Sequence, residues 1–129
     1  MPAPLLRIDA RSGTAAYRQI ADALRALLVQ GTLAPGNQLP PVRELALDLG
    51  VHFNTVAQAY RVLAEEGWLE LRRRRGARVL ARKPPDAPGG AADSFGRRLR
   101  ELVAEHRSAG LPPPVIVREL RALAEGLRK

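Results

Sequence analysis

Between Leu39 and Gly67 apolar side chains recur at helical spacing in two successive runs. The first carries Val42, Leu45, Ala46 and Leu49 on one helical face. Gly50 follows where a helix end favours a residue that tolerates the left-handed conformation. The second carries Val56, Ala59, Tyr60 and Leu63 and is closed by Gly67. The pattern predicts two helices joined by a tight turn at Gly50–Val51. Outside the apolar stripe of the second helix lie Asn54, Thr55, Ala57, Gln58 and Arg61. Amide and hydroxyl groups dominate that face, and they suit hydrogen bonding to base edges in a groove better than simple solvation.

The flanking chain has its own periods. Tyr17, Ile20, Leu24, Leu27 and Leu28 form the stripe of an earlier helix, which Thr14 is placed to cap and Gly31 to end. Pro35–Gly36 is a turn dipeptide. Residues 1–13 read as a loosely ordered arm anchored by Leu5, Leu6 and Ile8, with insertion of Arg7 and Arg11 into a minor groove as the alternative. After Gly67 the period shortens, and Trp68–Arg72 and Ala77–Ala81 predict two short strands around a tight turn. The tip, Arg72–Arg73–Arg74–Arg75–Gly76, is a dense cationic cluster whose guanidiniums repel one another unless an anion lies between them. A solvated basic hairpin is the plain alternative.

Lys83–Ala92 is a linker by composition. Beyond it, Ser94 is placed to cap a helix to about Ala109, with Phe95, Leu99, Leu102, Val103 and His106 on one side. Gly110 and Pro112–Pro113–Pro114 interrupt the chain. A last helix then carries Ile116, Leu120, Leu123 and Leu127, flanked by Val117 and Ala124. Two amphipathic helices so joined predict an αα-hairpin. Each stripe is too wide for one partner helix. Either a second copy completes a four-helix arrangement, or the hairpin folds back on its own chain.

Composition narrows the choice of partner. A chain of 129 residues holds one small domain and an appendage, and with 4% aromatics among 46% apolar residues its core is limited, so a second copy would help it. The net charge of +8 and a pI near 11.3 favour a polyanion. The charge is uneven: residues 1–83 hold 13 Lys and Arg against 7 Asp and Glu, and residues 84–129 hold 8 against 6. Genomic bias towards Arg and Ala does not explain why the excess sits with the helix pair.

Candidate chemistry is sparse. With no cysteine, neither disulfides nor a thiolate zinc site can hold the fold. His52, at the start of the second helix of the pair, suits capping or a phosphate contact. His106 lies at the edge of an apolar stripe, which suits an interface. Ser12, Ser94 and Ser108 have no base partner at motif spacing. An enzyme is not expected, nor a metal or cofactor. No leader segment and no membrane-spanning apolar run are read, which places the chain in the cytoplasm.

The order of residues from about 15 to 82 resembles the winged helix-turn-helix of the GntR family of bacterial transcription regulators. The matching residues begin with Tyr17, Gln19, Ile20, Gly31, Leu33, Pro35–Gly36 and Leu39–Pro40. They continue through Arg43–Glu44–Leu45–Ala46, Gly50–Val51, Thr55–Val56, Ala59–Tyr60, Leu63 and Glu66–Gly67. Pro41 stands where the family usually has Ser, and Phe53 where many members have Arg. The tail resembles the short dimerisation segment of the YtrA-like branch. The resemblance implies a mainly α fold with a small β wing: a winged helix-turn-helix over residues 1–82, a linker over 83–93 and a two-helix dimerisation segment over 94–129.

By the same resemblance the second helix of the pair enters a major groove while the first crosses the DNA backbone. DNA contacts are then expected from Arg43, whose family counterpart faces the groove, from His52, Phe53, Asn54, Thr55, Gln58 and Arg61, and from the wing residues Arg73, Arg74, Arg75 and Gly76. The wing glycine is expected to let the hairpin approach the DNA closely. The dimer interface is expected at Phe95, Leu99, Leu102, Val103, Ile116, Leu120, Leu123 and Leu127. The function so implied is a homodimeric, sequence-specific repressor of its own operon, bound to a roughly palindromic duplex. A non-specific architectural DNA-binding protein and a protein-interaction module are the alternatives.

Overall fold

The computed structural model describes residues 6–128, and the chain divides between Lys83 and Pro84 into two compact units. The first unit opens with residues that the sequence pattern left loose. Leu6 is buried, at 4% exposure, and Ile8 packs against the same core; Leu5 lies outside the described residues. Gln19 ties this arm to the helix that follows: its amide accepts from the Asp9 N–H (2.8 Å) and donates to the Asp9 (3.0 Å) and Thr14 (2.9 Å) carbonyls. Thr14 is not the cap expected of it, because Ala15 takes the N-cap position. Helix α1 (Ala16–Gln30) starts after Ala15, with no side-chain cap bond, and ends at a left-handed Gly31.

Helices α2 (Val42–Leu49) and α3 (Phe53–Glu65) follow as the periodicity predicts. Ile20 and Leu24 of α1, Leu45 of α2, and Val56, Tyr60 and Leu63 of α3 lose essentially all contact with solvent. Burial of each such side chain contributes about 1.5–3 kcal/mol. Tyr60 reaches the core without leaving a polar atom unpaired, because its hydroxyl donates to the Pro40 carbonyl (2.7 Å). Burial, which disfavours the phenolate, raises its pKa.

A sheet closes one side of this core. Strands β1 (Gln38–Leu39), β2 (Leu69–Arg72) and β3 (Gly76–Val79) run antiparallel in the order β1-β3-β2. Leu39 lies opposite Ala77, and Leu69 opposite Val79. Leu39, Leu69, Ala77 and Val79 all point into the core. The hairpin was expected and β1 was not: two residues after a Pro–Gly turn are too short to show a period.

In the second unit, α4 (Ala91–Ser108) begins earlier than Ser94 suggested. Gly90, at φ 79°, turns the chain, and the Ser94 N–H already donates to the Gly90 carbonyl (3.0 Å) within the first turn. At the other end Gly110 is left-handed, and the Leu111 N–H returns to the His106 carbonyl (3.0 Å), a Schellman closure. Helix α5 (Pro113–Leu127) starts on proline, where a missing N–H costs nothing. Helix α4 buries no side chain and α5 only Ile116. Phe95, Leu102, Leu120, Leu123 and Leu127 are exposed, while Leu99 and Val103 are half-buried. Among the described residues no helix is long and apolar enough to cross a membrane.

Candidate nucleic-acid interface

The connection from α2 to α3 fixes the start of α3. Gly50, at φ 70°, reverses the chain, and the Val51 N–H returns to the Ala46 carbonyl (3.1 Å). His52 then caps α3, its Nδ1 accepting the Asn54 N–H (3.1 Å). In the neutral ring that bond leaves the proton on Nε2, which is free to donate to a phosphate. Along α3, Asn54, Gln58 and Arg61 are exposed at positions i, i+4 and i+7 on one helical stripe. Thr55 is half-buried, and its N–H is held by the His52 carbonyl (3.0 Å).

Phe53 does not stand outward as a replacement for an arginine would. It is partly buried against the core, stacks on the His52 ring (centroids 4.5 Å apart, 28° between planes) and lies under the Arg43 guanidinium at 4.2 Å. Arg43 is itself exposed on α2, so this contact joins α2 to the first turn of α3. Four expected site residues, Arg43, His52, Phe53 and Asn54, thus form one local cluster.

In the wing, Arg73, Arg74 and Arg75 form the exposed tip, and among the described residues no carboxylate pairs with them. Arg72 instead folds back on Glu70 (3.1 Å), and Arg78, opposite Glu70 in the register, approaches the same carboxylate at 3.7 Å. The cross-strand pairing of Glu70 with Arg78 went unread, although strand alternation places unlike charges opposite each other there. Arg74 has φ 64°, the single positive φ outside glycine among the described residues. A non-glycine residue pays roughly 1–2 kcal/mol to sit there.

Gly76 has a role within the fold. It is buried, at φ 83°, and a Cβ there would collide with the Leu39 and Pro40 carbonyls. Glycine here permits a close approach to β1 of its own chain.

Helix α3 is also braced at its far end. Glu66 receives both Arg25 Nε (2.9 Å) and a second Arg25 nitrogen (2.6 Å), and the Glu66 carbonyl accepts from Arg82 Nε (2.7 Å). Arg82 covers the Trp68 ring at 4.6 Å. The Arg25 hydrogen bonds hold the Glu66 carboxyl below its ordinary pKa. The bidentate pair ties α1 to the end of α3, a long-range contact that no local pattern announces.

Residues 16–79 match the family described as bacterial regulatory proteins, gntR family. The transcriptional repressor YtrA of Bacillus subtilis is 31% identical over 97% of this chain and 98% of its own length. A helix-turn-helix transcriptional regulator of Mycobacterium tuberculosis is 39% identical over 82% of this chain and 83% of its own. Among solved structures, YtrA from Sulfolobus acidocaldarius, a GntR-family transcription factor, superposes with a TM-score of 0.57 at 31% identity. It covers 96% of this chain and all of the other. With a winged helix whose exposed α3 face is polar and whose wing tip is cationic, the chain belongs to the GntR family and is a DNA-binding transcription regulator.

Proposed function

We propose that the protein is a homodimeric repressor of its own operon, acting in the cytoplasm on a roughly palindromic operator. In this reading α3 lies in the major groove with Asn54, Gln58 and Arg61 toward base edges. Arg43 reads a base from the end of α2, and Arg73, Arg74 and Arg75 hold phosphates. Helices α4 and α5 join two copies, and a two-fold dimer calls for half-sites about one helical turn, roughly 10 bp, apart. Repression is taken from the Bacillus relative, named a transcriptional repressor.

One observation carries the dimer: the second unit buries a single side chain on its two helices while Phe95 stands 68% and Leu123 59% exposed. Apolar surface at that density marks an interaction site. The polar, mostly uncharged face of α3 favours sequence reading over an architectural role, which charge alone would serve.

Charging Leu120 and Leu123 together (Leu→Glu) tests the reading. Like charges would then face each other across the two-fold axis in a desolvated seam, which is strongly unfavourable. Light scattering should show monomer, and binding to a duplex selected from a random library should weaken while the helical signal of the first unit persists. A variant that remains dimeric would remove the tail from the interface. Equal competition by scrambled duplex would support the architectural alternative, and no shift with any DNA at low salt the protein-interaction one.

A further inference from the structure

The Phe53 ring contacts both the Arg43 guanidinium and the His52 ring, and this double contact bears on specificity. Arg43 is exposed and, among the described residues, donates to no carboxylate or carbonyl. What locates its guanidinium is the face of Phe53, 4.2 Å away. A guanidinium located by a ring rather than by a hydrogen bond to a fixed oxygen keeps its N–H donors available for a bidentate bond to guanine O6 and N7. Phe53 is held in turn. It packs against the core and stacks on His52, whose ring plane is fixed by the bond from the Asn54 N–H to Nδ1 (3.1 Å). The support therefore runs from the backbone of α3, through two rings, to an arginine on another helix.

We infer that Phe53 is a positioning residue for specificity: it pre-orients Arg43 for one guanine in each half-site and touches no base itself. The inference rests on the proposal that Arg43 reads a base. An arginine already confined over a ring loses less freedom on binding than one that samples solvent. That gain belongs only to the duplex presenting a guanine at the matching place. On random DNA Arg43 has no bidentate partner, and its orientation adds little.

The test is a panel of single-base-pair operator variants titrated with the full chain and with R43A, F53A, F53L, F53Y and the R43A/F53A double variant. F53L keeps apolar bulk against the core but removes the aromatic face, and so separates the platform from packing if F53A folds poorly. F53A and F53L should both lower preference at the base pair where R43A acts, by about two- to five-fold, the size of an exposed cation–π contact. Preferences elsewhere, and affinity for random duplex, should stay put. F53Y should restore the preference, and R43A/F53A should be no worse than R43A. Equal losses on every duplex, or losses that add to those of R43A, would overturn the inference. If R43A reduces preference at one position and F53L changes nothing, the platform falls while the base-reading role of Arg43 stands. If R43A itself leaves every preference unchanged, both fall.

Discussion

The two units of this chain use apolar residues in opposite ways. In the first, Ile20, Leu24, Leu45, Val56 and Leu63 converge from three helices, a sheet closes the side, and the buried tyrosine hydroxyl has its acceptor. In the second, helices that also carry an apolar stripe leave Phe95, Leu102, Leu123 and Leu127 in solvent and bury only Ile116. Amphipathic spacing is common to both, so spacing predicts a helix and a face but not what covers that face. The first unit finds its cover within one chain. The proposed dimer supplies the cover that the second lacks.

The sharpest way to break this contrast is to remove the second unit. A chain ending at Lys83 should fold, melt cooperatively and remain monomeric. Its operator affinity should fall by about 10²–10⁴, because two linked reading heads gain an effective concentration that a single head lacks. The measurement is titration of both forms against one operator, with sedimentation at the same concentrations. Equal affinity, or a dimeric truncated chain, would show that the first unit associates by itself.

Glycines offer a second comparison, at the level of single residues. Gly76→Ala places a Cβ against the Leu39 and Pro40 carbonyls at a positive φ and should destabilise the first unit by about 2–4 kcal/mol. Gly126→Ala, inside α5 with nothing near its Cβ, should stabilise by about 0.5–1 kcal/mol. Urea unfolding of both variants decides the point. A mild Gly76→Ala would mean that β1 yields easily and does not fix the wing.

Such differences explain what the sequence made legible. The turn between α2 and α3, the four buried positions of α3 and the exposed Asn54, Gln58 and Arg61 were readable because helix period and a left-handed glycine are local signals. Strand β1 was not, since its two residues acquire their state only by pairing with β3. The start of α4 was misplaced because Ser94 has the chemistry of a cap, while Gly90 and the following alanines look like more linker. Gln19 was visible only as a matching letter. Its work on Asp9 and Thr14 depends on where the arm folds. For Phe53 the sequence offers a place among the DNA contacts where many members have Arg, but not its contact with Arg43, because a ring on α3 and a guanidinium on α2 meet only in three dimensions.

Electrostatics sharpen the contrast further. The Arg25–Glu66 pair joins elements within the first unit, whereas the tail's Arg97–Glu101 and Arg128–Glu125 pairs are local and exposed. The Glu66 carboxyl is held below its ordinary pKa, chiefly by the hydrogen bond from Arg25. Its contribution is therefore complete above the ordinary glutamate value of about 4.3 and is lost as pH falls through the depressed one. Both partners are a third exposed, so solvent screening limits the effect to about 1 kcal/mol or less. Comparing urea midpoints at neutral and acidic pH, Glu66→Gln should flatten the acid loss of stability, and Glu125→Gln should not. Parallel curves for wild type and Glu66→Gln would assign the acid sensitivity elsewhere.

The smallest expected effect concerns one residue of the wing, where stability and binding should move in opposite directions. Arg74 sits at φ 64° in an exposed turn, between two arginines that likewise lack a carboxylate partner among the described residues. Glycine would meet that conformation without the clash of a Cβ, though it gives back part of the gain through its greater freedom in the unfolded chain. Arg74→Gly should therefore raise the stability of the first unit by a few tenths to about 1 kcal/mol. If the tip holds phosphates, the same change should weaken operator and random DNA by similar factors. It should also flatten the log–log salt slope by about 0.9, the share of one phosphate that is no longer neutralised. Arg74→Lys keeps the charge and the backbone cost, so it should retain most of the slope without the gain in stability. A glycine variant that is more stable and binds with an unchanged slope would return the arginine cluster to the solvated-hairpin reading. Backbone strain retained at an exposed turn has a physical reason if a bound polyanion offsets it.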